Sequence, residues 1–466
     1  MNRKAESEFR SRIILNGKWD FLPCGKAGEW LNSPKDTQNE PWTIINVPAF
    51  YRADGGMRFG GKTLYAMGYS GELADNYFPA LEKYCWYRRS FNIDKLPNEK
   101  TAILNCRGIS AKAEVWLNGE LIGNHTGAYS PFELAVANQL LEGENILHVK
   151  VTGLDAFKKK TKVNGECGSV CRIAPGEGNS SGIYQDVFLD IVPSLHIDRV
   201  YLFAGIDSLK VKVFSAGGDR FPADSEFKIT IKESQGDIVA EAIFPDAEKI
   251  ELKNLDVVNW SPKEPSLYDV DIELLRSGQI IDCYTERIGF RTFEVDGNRF
   301  LLNGKPYFLR GGDGPPQGYV RHDTKYIYKF VRMMKELNME FTRFHTLPAS
   351  SQWLDTCDEL GVMVVQESPV MQTTIPLDAY KKELREMVNN DLNHPSVIIW
   401  GLGNECSFPY TSGHLPSFKE YIAEAERTVK TIDPVRPVIN DNHAPVEEVG
   451  GDIDSIHNYC GWYSMI

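Results

Sequence analysis

"HPSVIIWGLGNECSF", His394 to Phe408, is the stretch on which the fold turns. Its middle, Val397 to Trp400, is a short run rich in β-branched residues, with Pro395 before it and glycines after it. That pattern reads as a strand buried on both faces. Gly401, Gly403, Asn404 and Glu405 then put a polar pair where such a strand should close. A carboxylate there is either solvated and idle or aimed at something. The chain runs only to Ile466, so a partner carboxylate downstream has little sequence in which to lie.

Working outward, the sequence after Phe293 alternates strands with helices, the sign of a parallel sheet. "PYFLRGG" (Pro306 to Gly312) reads as strand one. "DTKYIYKFVRMMKELNM" places Ile327, Phe330, Val331, Met334 and Leu337 on one helical face. "FTRFHT" is strand two, followed by a helix at Ser351 to Leu360 that turns Trp353, Leu354 and Cys357 inward and stops at Gly361. "VMVVQES" is strand three, a helix around Tyr380 to Val388 follows, and "VIIWGLGNE" is strand four. "PVIND" and "DSIHNY" read as strands five and six. Every one of these strands ends in polar residues: Arg310 and Asp313, Arg343 and His345, Glu367, Asn404 and Glu405, Asp441 and His443, His457 and Tyr459. In a (β/α)8 barrel such strand ends converge on one site. The segment from Phe293, roughly 170 residues, is short of the ~250 that eight units usually take, so two strand–helix units are expected to be missing.

Upstream the texture is β. In "AEVWLNGELIG", Ala113, Val115 and Leu117 face one way, Asn118-Gly119 turns, and Leu121-Ile122 returns, a strong hairpin signal. Residues 1–193 read as a β-sandwich. In residues 194–292, "YDVDIELLRSGQIIDCYTERIGF" alternates Val270, Ile272 and Leu274 and turns at Ser277-Gly278, which suits an immunoglobulin-like β-sandwich. Residues 293–466 are the expected barrel.

The chain has 466 residues, 42% hydrophobic and 11% aromatic, ample for several real cores. A net charge of −13, with no run of like charge longer than Lys158 to Lys160, disfavours nucleic acid and anionic membrane as partners. No 18-residue apolar run is present, and the N-terminus lacks the apolar core of a secretory signal, so a cytoplasmic location is expected, or a periplasmic or secreted one if a signal peptide has been removed. Nine scattered cysteines do not read as a disulfide framework, and Cys167 with Cys171 lacks a second pair to complete a zinc set. Neither a metal nor a cofactor is expected.

The quoted motifs resemble, in order along the whole chain, those of the family 2 glycoside hydrolases, which include β-galactosidases, β-glucuronidases and β-mannosidases. "WDF", "WYRRSF", "AEVWLNGELIG" with "GAYSPFEL", and "SGIYQDVFL" resemble that family's jelly-roll sugar-binding domain. "WSPKEPSLY" and "ERIGFRTFEV" resemble its immunoglobulin-like domain. "FLLNGKPYFLRG" resembles the approach to its TIM barrel, and "NHPSVIIWGLGNE" (Asn393 to Glu405) its signature. The resemblance implies a retaining exo-β-glycosidase, most like a β-galactosidase, acting on terminal β-linked sugars. Glu405 would be its acid/base, and Asn404 would bond the sugar 2-hydroxyl. The nucleophile would lie on a seventh strand beyond Ile466, which makes this chain the front part of a longer polypeptide. Arg343 matches the family's arginine in a motif of the Arg-Thr-Ser-His-Tyr-Pro type. Ungapped, the family's histidine falls on Thr346 and His345 takes its serine position, so His345 is either a substrate contact or a loop-packing residue. Glu367 matches the glutamate ending strand three, ligand-facing or structural. Tyr459 and Trp462 match aromatics near the reacting sugar.

Departures bear on specificity. "GGDGPPQG" (Gly311 to Gly318) replaces the usual Gly-Val-Asn-Arg-His type of sequence, bringing in Asp313. The loop "CGSVCRIAPGEGNS" lacks an Asp-Gln-Asp-Met-Trp run, with Glu177 as a substitute acid or a solvated loop residue. A carbohydrate is the expected partner, with homo-oligomer formation left open. The competing reading is a non-catalytic carbohydrate-binding protein or inactive remnant.

Overall fold

The computed structural model describes residues 7–24, 31–49, 52–54, 58–59, 62–63, 84–153, 158–159, 166–167, 179–218, 220–314, 324–345, 347–370, 376–405, 415–440 and 450–455. The N-terminal part packs a six-stranded antiparallel sheet on a four-stranded one. The larger sheet runs Glu120–Thr126, Lys112–Leu117, Gly143–Thr152, Tyr84–Ile93, Gly17–Cys24 and Thr43–Val47 in spatial order. The smaller runs Ser11–Ile14, Val187–Pro193, Lys100–Cys106 and Phe132–Ala135. Alternation along each strand sends one set of side chains inward, so Trp19, Phe21, Tyr87, Leu104, Val115, Val149 and Leu189 form one core between the sheets. The Asn118-Gly119 turn closes the hairpin as its sequence requires, with a bulge between Val115 and Trp116.

A second sandwich follows, three strands (Ile197–Ala204, Ser208–Ser215, Ile250–Lys253) against four (Ile238–Phe244, Ser225–Glu233, Tyr268–Arg276, Gln279–Ile288). Val270, Ile272 and Leu274 are fully buried between them. Seven strands in a three-plus-four sandwich is the immunoglobulin-like arrangement.

The third part is a parallel sheet flanked by helices. Its elements are β1 (Gly311–Asp313), α1 (Thr324–Glu336), β2 (Phe341–Arg343), α2 (Ser351–Leu360), β3 (Met363–Glu367), α3 (Leu377–Asp391), β4 (Val397–Gly401), α4 (Leu415–Ile432) and β5 (Val438–Ile439). The strands pair in chain order, all parallel, and Ile453 adds a parallel bridge to Ile439 at the sixth position. Side-chain parity sets the two faces. Met363, Val365 and Ile399 pack on the inner side with Phe293 and Leu302, whereas Val364, Trp400 and Leu402 pack outward with helix residues such as Trp353, Tyr380 and Ile422.

Two local expectations are corrected. "PYFLRGG" is not one strand: Lys305–Tyr307 belongs to an antiparallel hairpin with Arg299–Leu302, and β1 begins only at Gly311. A two-residue link, Asn303-Gly304, turns the chain back before the barrel begins. Leu337 is not part of α1's buried face. It lies one residue past the helix and is 64% exposed.

The domains are joined by buried polar groups. Arg291 donates to the carbonyls of Pro395 and Val397 at the root of β4, and burial together with Arg436 lowers its pKa to about 9. Asn393 takes the amide of Leu202 at 2.9 Å and gives to the carbonyl of Val200 at 3.0 Å. Burial alone would raise the Asp433 carboxyl, but Arg436 and the Trp400 indole outweigh it and hold it at about 2. β4 is thereby fixed at its base before its polar end is reached.

Candidate active site

Parity along β3 places the site. With Met363 and Val365 inward, Glu367 also points inward, and Gly401 of β4 lies beside it in register. Arg343 ends β2 two residues after Phe341, which packs on the same inner cluster. The three strand ends therefore face one another across adjacent strands. Arg343 Nε donates to Glu367 Oε2 at 2.5 Å, and its Nη2 donates to Asn404 Oδ1 at 2.6 Å. Its Nη1 stands 3.9 Å from Asp313 Oδ1 at the end of β1. One guanidinium thus gathers the ends of β1, β2, β3 and the β4 loop.

Burial makes these contacts matter. Glu367 is 0% exposed, Asn404 1% and Glu405 6%, while the Asp313 side chain is 63% exposed. A carboxylate as buried as Glu367 requires a hydrogen-bonded counter-charge, which Arg343 supplies. The bond to Asn404 Oδ1 also fixes that amide's orientation, because the acceptor end is committed to Arg343 and the NH2 end must be the donor elsewhere.

The loop after β4 is built around its backbone. Gly401 sits so close to β3 that a Cβ there would meet Glu367 Cγ at 3.0 Å and Cβ at 3.1 Å. Gly403 has φ +141° and Glu405 has φ +51°. The left-handed conformation of a glutamate costs of order 1–3 kcal/mol and persists only where the surroundings fix it. Here the fixing bonds are Asn404 N to Val370 O at 2.9 Å, Ser368 Oγ to Leu402 O at 2.9 Å, and the Tyr380 hydroxyl to the same Leu402 carbonyl.

Of the residues singled out from sequence, Arg343, Glu367, Asn404 and Asp313 are brought into one cluster, with Glu405 next to it in the chain. His345 is half-buried on the loop after β2. Tyr459 and Trp462 lie outside the described residues, as do Glu177, Asp441, His443 and His457. Sequence reading missed Ser368 and Tyr380, and it named Gly401 at the strand end without its close approach to Glu367.

A separate cavity of about 660 Å³ opens where the three domains meet. Its arginines are already paired, Arg10 with Asp282 and Arg12 with Asp190, so it is a polar seam and not the candidate site.

Comparisons with known proteins agree with this architecture. Residues 13–193 match the family described as glycosyl hydrolases family 2, sugar binding domain; residues 196–291 match glycosyl hydrolases family 2; residues 293–465 match its TIM barrel domain. A β-galactosidase of Thermoanaerobacter pseudethanolicus is 29% identical over 349 residues, covering 68% of this chain and 44% of its own length. A putative β-glucuronidase of Formosa agariphila is 25% identical, covering 81% of this chain and 47% of its own. The chain thus spans less than half the length of these two relatives. Among solved structures, an FMN-binding β-glucuronidase from Facaelibacterium prausnitzii L2-6 superposes with a TM-score of 0.76 at 22% identity, over 98% of this chain and 68% of that one. A β-D-glucuronidase of Dictyoglomus thermophilum gives 0.70 at 24% identity, over 93% of this chain and 72% of that one.

Proposed function

The chain belongs to glycosyl hydrolase family 2, and from that premise we propose a retaining exo-β-glycosidase activity. The observation that supports this reading best is the Asn404-Glu405 pair, ending a buried barrel strand beside the Arg343–Glu367 ion pair. In this proposal Glu405 donates its proton to the glycosidic oxygen as the bond to the anomeric carbon breaks. A second carboxylate attacks that carbon and forms a glycosyl-enzyme. Glu405, now ionised, takes a proton from the water that attacks the same carbon and releases the sugar. The nucleophilic carboxylate of this reading stands about 5–5.5 Å from Glu405. Asn404 offers its amide N–H to the sugar 2-hydroxyl, and Arg343 holds that amide in place. His345, Asp313, Tyr459 and Trp462 are proposed as rim contacts to the sugar.

The substrate is proposed to be a terminal β-galactoside. A terminal β-glucuronide is the second reading, favoured by the several β-glucuronidases among the similar structures. The test is release of nitrophenol from aryl β-galactoside, β-glucuronide and β-mannoside by the full-length polypeptide. Cleavage of one with retention at the anomeric carbon is expected. Binding of sugars with no cleavage of any would overturn the catalytic reading in favour of a carbohydrate-binding protein.

A further inference from the structure

Glu367 and Gln366 are neighbours on β3 with opposite duties. Glu367 faces the barrel interior, whereas Gln366 faces outward and is nonetheless 0% exposed. Its side-chain amide is committed at both ends. Oε1 accepts the amide of Ala349 at 3.0 Å, and Nε2 donates to the carbonyl of Ala349 at 3.1 Å. Nε2 also donates to Asp391 Oδ2 at 2.6 Å. A side chain here imitates a strand partner, pinning both polar groups of one loop residue.

Ala349 lies four residues past His345 and six past Arg343, on the loop that leaves the end of β2. The far side of the pin is held in turn. Asn390 donates to Asp391 Oδ1, and Arg107 of the N-terminal sandwich donates to Asn390 Oδ1. Arg107 also reaches Ser351 Oγ at 3.4 Å, on the same loop's exit into α2. Only a cavity of about 20 Å³, the size of one water, separates Pro348 and Ala349 from Tyr129 and Gln185 of the sandwich.

We propose that Gln366, anchored by Asp391 and Arg107, is a positioning residue that sets the Leu347–Ser350 segment after β2, so that the N-terminal sandwich helps align the candidate catalytic site. The functional half of this inference rests on the glycosidase reading above; the structural half does not. The donor and acceptor pattern explains the residue choice. A carboxylate in place of the amide would set an acceptor against both the Ala349 carbonyl and the Asp391 carboxylate, with almost no change in volume.

The test uses Gln366→Glu, Gln366→Glu/Asp391→Asn and Arg107→Met. In this chain, Gln366→Glu should speed amide hydrogen exchange across residues 347–351 by about tenfold at pH 8, which a single lost hydrogen bond produces. The effect should fade as pH falls and the introduced carboxyl gains a proton. In the full-length polypeptide it should lower kcat by 10- to 100-fold with KM nearly unchanged, the consequence of a catalytic group displaced by about 1 Å. The double variant, which restores a donor facing an acceptor at residue 391 but not at the Ala349 carbonyl, should recover part of both losses. Arg107→Met should give a smaller change of the same kind. Unchanged loop exchange in a folded Gln366→Glu protein overturns the proposal, and so does faster exchange with unaltered kcat. Failure of the glycosidase reading would be seen separately, as wild-type turnover by Glu405→Gln.

Discussion

Glu383 offers a sharp test of how the sandwich and the barrel are joined. It sits on α3, 5% exposed, with Oε2 at 3.2 Å from Ser130 Oγ of the sandwich. Burial and the neighbouring Glu386 push its carboxyl up to about 8, against smaller opposing effects of Ser130 and Lys382. The facing groups are Ser130 from the sandwich and Glu386 and Lys382 from α3 itself. His125 of the sandwich lies 3.5 Å from Glu386. Because the folded state holds this proton more tightly than the unfolded chain, the stabilisation is complete below the ordinary glutamate range, around pH 4.5, and is lost as pH rises through about 8. The whole effect is bounded near 5 kcal/mol, of which about 3 kcal/mol disappears between pH 6 and pH 9. Glu383→Gln keeps the shape and the bond to Ser130 and removes the titration. At ~2–4 °C per kcal/mol, the wild-type melting temperature should fall by about 5–10 °C more than the variant's over that interval. The assay is thermal melting of both proteins in matched buffers at pH 6 and pH 9. Equal pH dependence in the two proteins, or a variant less stable than wild type at pH 9, would refute the reasoning.

Three further outcomes follow from the candidate site. Arg343→Met removes the counter-charge of the buried Glu367 and should cost about 3–5 kcal/mol in denaturant unfolding, whereas Arg343→Met/Glu367→Gln should recover most of that loss. Gly401→Ala places a methyl at 3.0–3.2 Å from Glu367; chemical denaturation should register a loss of about 1–3 kcal/mol. Tyr380→Phe deletes one of the two hydroxyls bonded to the Leu402 carbonyl and leaves Ser368 as its side-chain donor. It should cost about 0.5–1.5 kcal/mol and accelerate hydrogen exchange around Gly403.

The sequence made some features legible because their physics is local. The Asn118-Gly119 and Ser277-Gly278 turns need left-handed backbone, and residues suited to it are written there. The helix ending at Gly361 and the buried run of β4 are equally local. Leu337 was misplaced because helical periodicity does not show where a helix stops. "PYFLRGG" was misread because an apolar run does not reveal that its first half pairs backward in a hairpin. The ion pair of Arg343 with Glu367, and its bond to Asn404, depend on which strands are neighbours and in what register, information spread over 61 positions of chain. Gln366 was silent for a related reason. A strand buried on both faces has no polar alternation to mark which residues point to the helices and which to the site. The left-handed Glu405 is likewise a product of the bonds around it, not of its own preference.

The central claim is that Glu405 is the acid/base of a sugar-cleaving site. It is tested most directly by comparing Glu405→Ala with the wild type in the full-length polypeptide on an aryl β-glycoside with a good leaving group, with and without azide. Loss of the general acid and base should slow turnover by about 10²–10⁴-fold, and azide should restore it while forming the β-glycosyl azide. Wild-type turnover by the variant, or a slowed variant that azide neither accelerates nor traps, would contradict the account.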